Sequence, residues 1–266
     1  MSDFRGNIDH WLKQSEPDYY LFFLKAWIPF NAWYVAELPH LMRNDTKIIK
    51  ELLDNANSKP RKIIEGYLSR DDYDSQTFKS HLAELHYNLE RQSLSHNGHK
   101  VSFKSISLTA NPKVFDKFID ASDNVFKVEK KPTYFQAFIE AKGGKVLLDV
   151  KQSTYIYDDL EKDTNFIRLP DPKVQSKIKE LYKEIDPDRP TSLVILPSSK
   201  QPCTILKSKN TCKFMDDHVT IAKGCIKVLY SLRCMLFHGE VEPINANRPI
   251  YEHGFYLLRL IIKELN

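Results

Sequence analysis

Hydrophobic periodicity changes twice along this chain, and those two changes constrain its fold more than any single motif. Up to residue 94, apolar side chains recur every three or four positions, the period of an amphipathic helix. After "SHNGHK" (95–100) the spacing shortens to strand-like alternation punctuated by Gly, Pro and Asp. Helical spacing returns at "PDPKVQSKIKELYKEI" (170–185) and prevails to the end. Such a pattern reads as a mainly α protein, a helical bundle in two sequence halves (1–95 and 172–266) around a strand-rich α+β insertion at 96–171. With 266 residues the chain is long enough to bury a substantial core.

Local signals place the elements. Ser15, Pro17 and Asp18 form a helix-start signature ahead of "YYLFFLKAWIPFNAWYVAEL". There Tyr20, Phe23, Trp27, Asn31 and Tyr34 recur at helical spacing beside Phe30, and Pro29 is expected to kink the helix. Further helices are expected over 45–55, 60–68 and 75–92, the last with Phe78, Leu82, Leu85 and Leu89 on one stripe. Strands are expected over 101–108 and within "NVFKVEKK", "GGKVLLDV", "STYIYDDL" and "NFIRLP", with a short helix near 112–120. Beyond the helix in 170–185 come a strand-like "TSLVILP", one long helix over 211–238, and a final helix from 250.

Composition excludes more than it assigns. The 39 basic and 35 acidic residues leave a charge of +4, weak evidence for a nucleic-acid partner. No apolar run of the roughly 18 residues needed to span a bilayer is present, and the start "MSDFRGNIDHWLKQ" lacks a signal-peptide pattern, so a soluble, cytoplasmic protein is expected. Cys203, Cys212, Cys225 and Cys234 form no CxxC pair and read as free thiols. No Gly-rich phosphate loop or ligand cluster appears, so neither a cofactor nor a metal is expected. His96 and His99, flanking Asn97 and Gly98, read as a turn with exposed histidines rather than half a metal site.

One segment stands out chemically. "SLRCMLFHGE" (231–240) sets Arg233 and His238 among Leu229, Leu232, Leu236 and Phe237. Five residues turn a helix by about 500°, or about 140° beyond a full turn, which would put the two side chains on different faces. Gly239 is the usual left-handed helix terminator, so His238 is expected on the last turn, free to reorient toward the arginine. The negative helix end suits a cation, and the guanidinium fork suits a phosphate. A phosphodiester would satisfy both.

"RCMLFHG", closing a long helix, together with the aromatic helix "FLKAWIPFNAWY", resembles the R-x4-6-H signature of the HEPN superfamily, helical domains of prokaryotic toxins, abortive-infection proteins and CRISPR-linked ribonucleases. The likeness covers 1–95 and 172–266. It implies a HEPN-like bundle acting as a metal-independent endoribonuclease, a hydrolase working as a homodimer with two motifs facing one cleft. In such an enzyme His238 acts as general base or acid, and Arg233 stabilises charge on the phosphate. The products would be a 2′,3′-cyclic phosphate and a 5′-hydroxyl. A toxin or anti-phage effector is implied, with an antitoxin or regulatory protein as a partner. Asn31 either helps to line the cleft or is satisfied inside a helix pair. Glu240 is either solvated or orients His238.

The position after the arginine, polar in active members, is Cys234, and this favours the alternative of a catalytically silent RNA- or protein-binding module. Between Asp188 and Asp216 lie Arg189, Lys200, Lys207, Lys209 and Lys213 with no acid among them, a pattern suited either to tracking an RNA backbone or to a solvated loop.

Overall fold

The structure, a computed structural model, describes residues 16–96, 99–108 and 111–265; Ser15 of the helix-start signature, and Asn97 and Gly98, lie outside them. In chain order its helices and strands are α1 (Tyr19–Glu37), α2 (Asp45–Asp54), α3 (Lys59–Ser69), α4 (Tyr73–Arg91), β1 (Ser95–His96), β2 (His99–Lys100), β3 (Phe115–Ile119), β4 (Val125–Lys130), β5 (Phe135–Glu140) and β6 (Val146–Gln152). Then follow α5 (Tyr157–Lys162), α6 (Thr164–Ile167), α7 (Pro172–Glu184), β7 (Cys203–Leu206), β8 (Cys212–Met215), α8 (His218–Phe237) and α9 (Arg248–Lys263). With 49% helix and 16% strand in several small sheets, the protein is mixed α+β, which corrects the expectation of a mainly α helical bundle.

Two compact units form, one from Met1–Ile106 with Ser192–Asn266, the other from Ser107–Thr191. In the first, side-chain caps start the helices as the local sequence requires: Asp18 accepts from Leu21 N at 3.0 Å, Asn44 from Lys47 N at 3.0 Å, Asp72 from Ser75 N at 2.9 Å and Asp217 from Thr220 N at 3.0 Å. Helix α1 runs unbroken through Pro29 and buries Phe23, Trp27, Phe30 and Tyr34. It packs on α9, where Tyr251 meets Phe23 and Tyr20 at ring distances of 5.5 and 4.7 Å. An added Cβ at Gly254 would lie 3.2 Å from the Phe23 ring, so this helix pair is close-packed there. Gly224 does the same for α8: a Cβ would collide with Leu193, which is fully buried against the helix.

The second unit is an antiparallel meander, β3-β4-β5-β6. Rows Phe126, Ile139, Leu148 and Val128, Ala137, Val150 face one side of it, where Leu160, Phe166, Ile178, Leu181 and Tyr182 from α5, α6 and α7 complete the core. Because α7 belongs to that core, the insertion spans 107–191 rather than 96–171.

Several local expectations change. Residues 101–108 carry buried Val101, Phe103 and Ile106 but form no strand ladder. The helix expected near 112–120 is β3, "NFIRLP" holds the short helix α6 capped by Asp163, and "STYIYDDL" leads into α5. The long helix begins at His218, since 212–215 form β8.

Candidate functional site

Helix α8 ends in hydrogen bonds that its sequence dictates. His238 is the C-cap, with φ −95° and ψ 0°, and Gly239 takes the left-handed φ of +66°. Gly239 N then donates to Leu236 O at 3.4 Å and Glu240 N to Met235 O at 2.9 Å, the paired bonds of a Schellman ending. The chain turns back on itself there, and the Glu240 carboxylate meets His96 Nδ1 of β1 at 2.6 Å.

These residues border a groove of about 380 Å³ lined by Thr46, His96, Lys227, Tyr230, Ser231, Cys234, His238 and Glu240. Its floor is one stripe of α8: Lys227 and His238 are eleven residues apart, which brings them within about 20° of each other around the axis. Lys227 has no carboxylate within ion-pair distance among the described residues. Burial raises the pKa of the Tyr230 hydroxyl, keeping it a neutral donor.

Arg233 does not line this groove. Its Nη2 lies 2.9 Å from Asp45 Oδ2, and its guanidinium stacks 4.3 Å from the Phe237 ring centre. Asp45 in turn accepts from Tyr34 Oη at 3.0 Å, and Tyr34 Oη accepts from Asn31 Nδ2. Burial pushes the Tyr34 pKa up to about 12, so the hydroxyl remains a donor to the carboxylate. Asn31 is therefore satisfied in a chain of contacts joining α1, α2 and α8 and does not border the groove. The expected reorientation of His238 toward Arg233 is replaced by the different faces that helical geometry alone requires. Cys234 and Glu240 do border the groove, with Glu240 engaging His96 rather than His238.

The basic interval divides. Arg189 belongs to the other unit and pairs with Glu184 at 2.6 Å. Lys213 donates to the carbonyls of Pro197 (2.7 Å) and Ser199 (3.3 Å), whereas Lys200, Lys207 and Lys209 have no ion-pair partner among the described residues. Reading the sequence missed Lys227, Tyr230, Ser231 and Thr46, and took His96 for an exposed turn histidine, whereas its side chain is 17% exposed against Glu240. The spacing of Lys227, Ser231, Cys234 and His238 along one helix face was the signal that could have found the α8 residues.

Among the described residues no group of three or more His, Cys, Asp or Glu is arranged to hold a metal ion, and no helix is long and apolar enough to cross a membrane. Compared with known proteins, the chain matches no family model, no curated protein and no solved structure.

Proposed function

We propose that this protein is an endoribonuclease of the metal-independent kind that the HEPN resemblance implies, with His238 transferring a proton during attack of the ribose 2′-hydroxyl on the adjacent phosphate. One observation carries the reading: the exposed His238 imidazole and the Lys227 ammonium, which has no ion pair among the described residues, share a stripe of α8 in a groove lined also by hydroxyl-bearing side chains. Proton transfer and charge neutralisation are what such a cleavage demands. Lys227 takes the phosphate-binding role expected of Arg233, and Arg233 positions α8 against Asp45 of α2. This reading needs no second copy of the chain.

A second reading, an RNA-binding module without activity, is favoured by the neutralisation of Arg233 by Asp45 and by the buried Cys234 at the position after it. RNA cleavage in excess EDTA separates the two. The ribonuclease reading expects cutting of RNA but not of the 2′-deoxy analogue, and a drop of about 100-fold for His238→Ala at unchanged melting temperature. No cleavage by the wild-type protein across a broad RNA panel, or equal cleavage by both proteins, leaves the binding module.

A further inference from the structure

The groove beside α8 offers groups for a phosphate, but its one ring besides the two imidazoles, Tyr230, is half-buried and packs toward Trp27 at 6.2 Å. The bases of a bound strand need another surface. Successive residues of a helix project about 100° apart, so Phe237, which precedes His238, stands alongside the groove rather than in its lining. Phe237 is 61% exposed, and its ring meets no other aromatic ring among the described residues. Singly exposed apolar residues are ordinary, but this ring is held in place. One turn back on α8, the Arg233 guanidinium lies over it at 4.3 Å from the ring centre, and Asp45 Oδ2 holds that guanidinium at 2.9 Å. Asp45 is tied in turn to Tyr34 Oη at 3.0 Å. A chain of contacts reaching from α1 through α2 therefore ends on an aromatic ring that faces solvent next to His238.

Resting on the reading of this groove as an RNA site, we propose that Phe237 is a base-stacking platform: a nucleobase next to the phosphate at Lys227 and His238 lies flat on the exposed side of the ring. Every base has a π-face, so the contact tolerates any sequence. A base inside a duplex already has both faces covered by its neighbours, whereas an unpaired base can be splayed out onto a side chain. The ligand class is therefore an RNA strand with an unpaired base beside the bound phosphate. Phe237 moves no proton and sets affinity and register. The contact of Arg233 with Asp45 then serves binding as well as packing, because a ring ordered beforehand loses little freedom when the base arrives. Phe237, Arg233, Asp45, Lys227 and His238 all belong to one compact unit.

The test measures binding of a fluorescently labelled, mixed-sequence 2′-O-methyl RNA, which lacks the attacking hydroxyl and so is not cut, to wild type, Phe237→Ala, Phe237→Leu and Phe237→Tyr. Phe237→Ala and Phe237→Leu should each weaken binding of the single strand by about 10-fold or more, and Phe237→Tyr, which keeps the ring, should stay within about threefold. The slope of log affinity against log salt should be the same for all four proteins, since no charge changes. Hybridised to its complement, the RNA should bind all four with one affinity, below that of wild type for the single strand. Phe237→Ala within about twofold of wild type, Phe237→Leu binding as wild type does, or an equal loss on the duplex overturns the platform. So does a wild-type dimer that Phe237→Ala turns into a monomer in sedimentation, which makes the ring a contact between copies. Binding that depends on the ring, in a protein that cuts no ordinary RNA, removes the ribonuclease reading and keeps the platform. Ring-independent binding in a protein that does cut RNA removes the platform alone.

Discussion

Arg233 Nη2 meets Asp45 Oδ2 at 2.9 Å with side chains 19% and 24% exposed, an intermediate setting between a surface ion pair and a buried one. Exposed pairs contribute roughly 0–1 kcal/mol, whereas breaking a buried one costs about 3–5 kcal/mol. Arg233 Nε has no hydrogen-bond partner among the described residues, so losing Asp45 would leave the guanidinium poorly satisfied. Asp45→Ala and Arg233→Ala are each expected to cost about 2 kcal/mol of stability, with a coupling of about 1 kcal/mol or more in a double-mutant cycle measured by urea denaturation. Additive effects would deny that this contact holds α2 to α8. The same residue pair shows why the site was only half legible. The R-x4-H spacing is visible in the sequence, but a distant carboxylate competing for the arginine is not.

At the scale of elements, α4 and α9 meet through two imidazoles: His81 Nδ1 and His253 Nδ1 lie 3.0 Å apart, and His81 stacks on Tyr256 at 4.6 Å. Burial, followed by the neighbouring His253, pushes the His81 pKa down to about 4, although Glu252 and Glu84 oppose the shift. Burial lowers that of His253 as well, against the nearby Glu84. An unfolded histidine titrates near 6.5, so between that pH and about 4 the unfolded chain binds more protons than the folded one. The stability is complete above pH 6.5 and is lost as pH falls through this window. Denaturant melts between about pH 7 and pH 5 should show a steeper loss for wild type than for His81→Gln. Equal slopes would mean that this helix contact does not sense protons. Neighbouring elements also explain one misassigned segment: Val114, Phe115, Phe118 and Ile119 have helix-like spacing, yet pairing with β4 makes 115–119 a strand.

At the scale of the molecule, the insertion has its own core, built from β4–β6 and α5–α7, and the helical unit closes around it in sequence: Leu193 N donates to Phe103 O at 2.8 Å. Replacing 107–191 with a short Gly/Ser linker should therefore leave a unit that melts cooperatively and keeps whatever RNA cleavage the full chain shows. Loss of the cooperative transition would instead make the insertion part of one folding unit. What the sequence determined by itself was local: the starts of α1, α2 and α4, where an Asp or Asn cap meets the first turn, and the Gly239 ending of α8 that aims Glu240 backward. Those outcomes depend on groups within five residues of each other, so short-range hydrogen bonding decides them. Only the tertiary structure decided that His96 meets Glu240 and that Asp45 takes Arg233, because both contacts join segments far apart in the chain, where periodicity carries no information and packing chooses the partner.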